Sequence, residues 1–253
     1  MINNLTHFGC SFAVANGVPK YVEGLKSGAY VHTDKLREEF KRRYKVQPEE
    51  PQSCGSIIAK KLGFNFTKIA ENGASNEMIF RKVIETELNN SFVLIGFTSN
   101  NRREGLTTTK RSSHWHTWKM VAPGEDAKYK DLIFKPWKNE YRPAIEEEGQ
   151  IRTVMQIIYM QNYFKNNNIP YLMFNALWNG FDRPMTRECK DLLSKVDEKH
   201  FHELRGTFDN VQHGWCVKEG LQVSEQDDHP NIQGQLAWAE KLMPQVESIL
   251  NAN

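Results

Sequence analysis

The sequence is poor in the features that would place it in a membrane, in a disulfide-knit secreted class or on a nucleic acid. No apolar run in its 253 residues approaches the ~20 that a bilayer-spanning helix needs. The first residues, Met1-Ile2-Asn3-Asn4-Leu5-Thr6-His7, lack the basic region and long apolar stretch of a secretory signal. There are only four cysteines, Cys10, Cys54, Cys189 and Cys216, with no C-x-x-C pair among them. That spacing fits neither a disulfide framework nor a zinc site. Charge of one sign is also missing: 33 Lys plus Arg against 31 Asp plus Glu leave +2, too little to steer the chain to nucleic acid or to anionic lipid. There is no internal repeat and no low-complexity tract. A cytoplasmic, reduced location is expected, or a virion if the source is viral, with neither membrane nor nucleic acid as partner.

What is present is an ordinary globular mixture, 39% hydrophobic and 25% charged, in which strand-length apolar runs alternate with helical patterns. Leu5 to Phe8 is a short run ending at Gly9-Cys10-Ser11. Thr33 to Tyr44 spaces Leu36, Phe40 and Tyr44 four apart behind a Thr cap, one face of an amphipathic helix. Ser53 to Leu62 reads as a second helix stopped by Gly63, and Phe64 to Ala70 as a strand. Asn72-Gly73-Ala74-Ser75-Asn76 follows, and then Met78, Ile79, Val83 and Ile84 resume helical spacing. Ser91 to Phe97 is apolar almost throughout, as a strand buried on both faces must be. Helix is expected from about Ala144 to Phe164, strand over Tyr171 to Ala176, and a last helix over about Ile232 to Leu250, kinked or interrupted at Pro244. Doubly buried strands separated by helices mean a parallel sheet in a three-layer α/β/α domain, here spanning 1–253. The stretch 99–143 breaks the rhythm. It holds Trp115, Trp118 and Trp137 with Arg102, Arg103, Lys110 and Arg111, and it follows a sheet strand on the side where open α/β sheets bind ligands. It reads as an insertion that is either a lid or a surface excursion packed by its own aromatics.

Ser11 stands just past the first strand. A serine there is a potential nucleophile, but its hydroxyl attacks at neutral pH only with a base beside it. Asp227-Asp228-His229-Pro230-Asn231 precedes the last helix, with Pro230 suited to a helix start. In a loop, an Asp two residues before His229 can turn back to the imidazole and make an oriented base. The same cluster also suits helix capping.

Taken together, Gly9-Cys10-Ser11 after the first strand, Asn72 to Asn76 after the second, Ile95-Gly96-Phe97-Thr98 after the third and Asp227-x-His229-Pro230-Asn231 near the end come in one order. That order resembles the SGNH (GDSL-type) hydrolase family over nearly the whole chain, and Asn231-Ile232-Gln233-Gly234-Gln235 is similar to the family's helix start. The resemblance implies a flavodoxin-like fold of five parallel strands. It also implies Ser11 as nucleophile, His229 as general base and Asp227 as the residue orienting it. The oxyanion hole is implied to use the Ser11 and Gly73 backbone N–H groups, donors often worth a factor of ~10²–10³ in rate each.

The sequence departs from the pattern in three places. Thr98 stands where the family has an Asn donor, so either its hydroxyl substitutes or Asn76 or Asn100 reaches in. Gln226 occupies the usual Asp position three before the histidine; the shorter Asp-x-His spacing also resembles the family, and on that likeness Asp227 is chosen over Asp228. Cys10 replaces the Asp of Gly-Asp-Ser, and a cysteine nucleophile is set aside because neighbouring residues at a strand end point opposite ways. His114-x-His116 and His200-x-His202 lack a third ligand nearby, so no metal is expected, and no cofactor. Glu146-Glu147-Glu148 reads as a solvated helix start. Arg102, Trp115 and Trp118 are candidate substrate contacts. The expected activity is hydrolysis of an ester, acetyl or other acyl, with a carbohydrate among the candidate alcohols, through a Ser11 acyl-enzyme. The alternative is a non-enzymatic carbohydrate-binding or structural module on the same fold, as in a viral particle. The sequence does not give the oligomeric state.

Overall fold

The computed structural model describes residues 2–14, 52–71, 73–100, 102–108, 113–119, 142–224 and 227–252. Five strands, β1 (Asn4–Gly9), β2 (Asn65–Ala70), β3 (Ser91–Phe97), β6 (Tyr171–Asn175) and β7 (Phe201–His202), pair in parallel in the order β2-β1-β3-β6-β7. Phe8 of β1 lies in register with Ile69 of β2 and Ile95 of β3. All seven residues of β3 and all five of β6 are buried, and their side chains sort by the two-residue period of a strand. Phe92 and Leu94 face one cluster, with Ile57 and Ile58 of α2 (Cys54–Leu62) and Trp238, Leu242 and Val246 of α7 (Ile232–Asn251). Val93, Ile95 and Phe97 face the other, with Ile79 and Val83 of α3 (Asn76–Glu85) and Val154, Ile157 and Phe164 of α4 (Arg142–Asn166). The result is the expected three-layer α/β/α arrangement with a five-stranded parallel sheet.

Local signals fix the element ends. Ser53 caps α2 by accepting from the Ser56 N–H, and Gly63 ends it at φ 69°, a left-handed conformation that suits glycine. Ser75 caps α3 by accepting from Met78. Pro244 does not interrupt α7, which runs unbroken to Asn251. Both Pro244 and Glu240, whose carbonyl loses its intrahelical partner there, are exposed, so the break in the hydrogen-bond ladder falls on the solvent side of the helix. The helix expected over 33–44 lies outside the described residues. Within 99–143, β4 (Arg102–Thr108) and β5 (Ser113–Lys119) form an antiparallel pair, and residues 120–141 are outside the description. The short helices α5 (Arg187–Leu193) and α6 (Gln212–Lys218) and the edge strand β7 were not expected from the sequence. Among the described residues no helix is long and apolar enough to cross a membrane.

His7 of β1 is buried to 1% exposure, and neither ring nitrogen has a hydrogen-bond partner. A Cβ on Gly55 of α2 would come within 2.5 Å of its Nδ1, so the helix sits directly on the ring. Burial, helped by the charge of Lys68, lowers the imidazole pKa to about 3 from 6.5. Between those values the unfolded chain binds a proton that the folded chain refuses. Stability should therefore fall as pH drops from about 6.5 toward 3, by about 1.4 kcal/mol per pH unit at full slope. Urea unfolding midpoints across this range should flatten in His7→Leu. Parallel profiles for the two proteins would contradict this account of His7.

Candidate active site

The carboxyl ends of β1, β2 and β3 lie side by side, with β1 in the middle. β1 turns at once into the single helical turn α1 (Ser11–Val14). The turn is tight enough that a Cβ on Gly9 would lie 2.6 Å from the Ala13 Cβ, so only glycine fits there. Cys10 is fully buried in the cluster that contains Phe12 and Cys54, packed as a small apolar residue. All four cysteines are free and buried, and burial pushes the Cys54 and Cys216 thiols up to about 12. The Ser11 side chain lies outside the described residues.

His229 reaches this edge from the other end of the chain. The residues before α7 do not form the expected loop. β8 (Gln222–Ser224) and β9 (Asp227–Pro230) make a two-stranded antiparallel ribbon. Gln222 pairs with Pro230 and Ser224 with Asp227, so β9 carries one extra residue, a bulge of the kind that re-aims side chains. The His229 ring lies against Phe12, centroids 5.0 Å apart, which brings it beside the segment holding Ser11. On another side of Phe12 stands His213 of α6, at 5.7 Å, and its Nε2 meets Asp228 Oδ2 at 2.7 Å. That hydrogen bond, followed by the His213 and His229 charges, holds the Asp228 carboxyl below its usual range against the opposing effect of burial. Asp228 is thus engaged with His213. The Asp227 side chain lies outside the described residues.

Gln235, in the first turns of α7 and completely buried, ties the site together. Its Oε1 accepts from the Cys54 N–H at 2.9 Å and from Gln212 Nε2 at 3.3 Å, and its Nε2 donates to the Phe12 carbonyl at 3.1 Å. The sequence shows Gln235 only as part of a helix start. That a polar residue sits on the buried face of α7 was its one available signal.

Beyond β2, Gly73 has φ 73° and is exposed, a conformation that disfavours any side chain. Asn76 does not face the site as the expected donor. Its amide nitrogen is spent on the Thr98 carbonyl (3.0 Å) and Thr153 Oγ1 (3.2 Å), and its Oδ1 accepts from the Thr98 N–H (2.9 Å). It clamps the start of α3 to the end of β3. Asn100 likewise donates to the Asn179 carbonyl. Thr98, fully buried, accepts from Arg102 Nη1 at 2.8 Å, and the same nitrogen donates to the Ala74 carbonyl at 3.2 Å.

Arg103, Trp115, Trp118, His114 and His116 lie on the β4–β5 ribbon with side chains outside the described residues. His200 bonds Asp197 and stacks on Tyr171, and His202 bonds Gln245, so both serve packing. A hollow of about 520 Å³ is lined by Trp178, Asp182, Arg183, Thr207, Phe208 and Asp209. It opens past the carboxyl end of β6 and adjoins the site through Phe208, whose ring meets His213 edge-on at 5.2 Å. The Arg183 guanidinium covers one face of Trp178 at 4.0 Å, and Trp178 Nε1 donates to Asp182.

No protein-family model and no curated protein matches the chain. Solved structures similar to it include a carbohydrate esterase family 2 enzyme with a carbohydrate-binding domain from Corynascus thermopiles (Myceliophthora fergusii). It matches at 13% identity and TM-score 0.47, covering 98% of this chain and 67% of that one. A carbohydrate esterase whose active site displays divergent catalytic and non-catalytic binding functions matches at 11% and 0.44, covering 97% and 65%. A phospholipase A1 from Streptomyces albidoflavus matches at 14% and 0.36, covering 98% and 99%. The chain spans about two thirds of the length of the two carbohydrate esterases.

Proposed function

We propose that the protein is a serine hydrolase that cleaves an ester, with Ser11 as nucleophile, His229 as general base and Asp227 as the residue that orients the imidazole. The observation that carries this reading is the packing of Phe12, the neighbour of Ser11, against the His229 ring. It brings the two ends of the chain to one point at the carboxyl edge of the sheet. Ser11 Oγ attacks the ester carbonyl and gives its proton to His229. The tetrahedral intermediate collapses as His229 protonates the departing alcohol oxygen, and water repeats the sequence on the acyl-enzyme. Engagement of Asp228 with His213 supports Asp227 as the orienting carboxylate. The hollow beside Phe208 offers aromatic edges next to Asp182 and Asp209, carboxylates that accept from hydroxyl groups. That composition suits the alcohol side of an acylated carbohydrate.

Purified protein should release acid from short-chain acyl esters and from acetylated oligosaccharides in a pH-stat, and Ser11→Ala should abolish the release. Asp227→Asn should lower kcat by about 10²-fold or more, since a mis-oriented base is costly. Asp228→Asn should change it by no more than a few-fold. The reverse ranking of the two variants would transfer the orienting role to Asp228. No release from folded wild-type protein on any acyl ester would favour a binding module on the same fold.

A further inference from the structure

Arg102 opens β4 four residues beyond Thr98, and its backbone N–H closes a turn onto the Ser99 carbonyl. Its Nη1 bonds both the Ala74 carbonyl, in the loop after β2, and Thr98 Oγ1, at the end of β3. β1, which leads into Ser11, lies between those two strands. One guanidinium therefore bridges the two loops that flank the nucleophile's segment. Both of its acceptors are neutral, and no carboxylate among the described residues pairs with it. The carboxylate of Glu77, in the first turn of α3, pairs instead with Arg152. A partly buried cation whose acceptors among the described residues are all neutral is stabilised when negative charge appears beside it. Meanwhile the amide nitrogens of Asn76 and Asn100 donate elsewhere, and Asn101 lies outside the described residues.

We propose that Arg102 is a catalytic residue whose guanidinium donates to the oxyanion of the tetrahedral intermediate, with Thr98 Oγ1 holding it in place. The inference rests on the ester-hydrolase reading above. When Ser11 Oγ bonds to the carbonyl carbon, the C=O π pair moves onto oxygen and the Ser11 proton passes to His229. Arg102 stays protonated throughout. It stabilises the new negative charge through a charge-assisted hydrogen bond, and releases it when the C=O bond re-forms and the alcohol leaves. A fixed cation where charge develops acts on the transition state rather than on the neutral ester, so it raises kcat more than it lowers KM.

Steady-state hydrolysis of the neutral substrate 4-nitrophenyl acetate by Arg102→Gln, Arg102→Ala and Arg102→Lys tests this, with thermal unfolding as the folding control. The Gln and Ala variants should lose about 10²–10³-fold in kcat with KM within a few-fold. The Lys variant, which keeps charge on a similar stem, should retain more activity than either and guards against a failure to fold. Millimolar guanidinium chloride should partly restore Arg102→Ala, and equal sodium chloride should not, a response that a merely structural arginine would not give. Unchanged kcat in Arg102→Gln alongside Ser11-dependent turnover by the wild type would overturn the inference and leave the hydrolase standing. A loss confined to KM for anionic esters would also overturn it, making Arg102 a ground-state anion contact. Absence of Ser11-dependent turnover in the wild type would remove the hydrolase reading, and the inference with it.

Discussion

Replacing His229 by alanine should lower kcat for ester hydrolysis by about 10⁴-fold or more, with a comparable loss for Ser11→Ala and little further loss in the double variant. Members of a nucleophile–base pair act as a unit, so removing either removes the proton transfer on which the other depends. The expectation separates His229 from its neighbour His213, which lies against another side of Phe12 and is occupied with Asp228. His213→Ala frees Asp228 and removes the ring contacts to Phe12 and Phe208, so its effect should be smaller by orders of magnitude. Pre-steady-state and steady-state rates on a chromogenic acetate check both. If His213→Ala proved the more damaging, the base would have to be reassigned to the His213–Asp228 pair.

Gln235→Leu should be the most destabilising of the single substitutions considered and should also impair turnover in the protein that still folds. Leucine fills a similar volume but makes none of the three hydrogen bonds. The Cys54 N–H at the start of α2 and the Phe12 carbonyl would both lose their partner in a buried setting. Unsatisfied buried groups cost about 1–3 kcal/mol each, so a total loss of several kcal/mol is expected, read as a lower urea midpoint with an unchanged slope. The Phe12 carbonyl belongs to the segment that carries Ser11, and Gln235 belongs to the helix that follows His229. Loosening that link should separate nucleophile from base and lower kcat in the folded fraction. A stability loss with unaltered kcat per folded molecule would make Gln235 a structural tie only.

The sheet was legible in the sequence because its inner strands are buried on both faces. Ser91–Phe97 is one apolar run and is β3 without adjustment. The end of α2 was legible at Gly63, where a left-handed stop leaves glycine as the natural choice. Pro244 misleads because proline's cost depends on whether the orphaned carbonyl is buried, and here the break falls on the exposed side of α7. The ribbon holding His229 was hidden because β8 is three residues long and β9 carries a bulge, which destroys strand alternation. In the site, the order of the blocks after β1, β2 and β3 showed where the loops would meet. It did not show which side chains would be used up in joining them. Asn76 and Thr98 are both at the expected edge, yet Asn76 is a clamp, and the bridge from Thr98 to Arg102 and Ala74 depends on a turn that no short-range pattern encodes. Gln235 and His213 act across 223 and 15 residues of chain respectively, distances at which spacing carries no signal.

Covalent labelling with a fluorophosphonate tests the central claim most directly, since the reagent reacts with an activated serine and leaves an adduct that intact mass counts and peptide mapping locates. One adduct per chain on Ser11, absent from Ser11→Ala and strongly slowed in His229→Ala, is the predicted result. An adduct on Cys10, or no adduct on folded protein at several pH values, would contradict it.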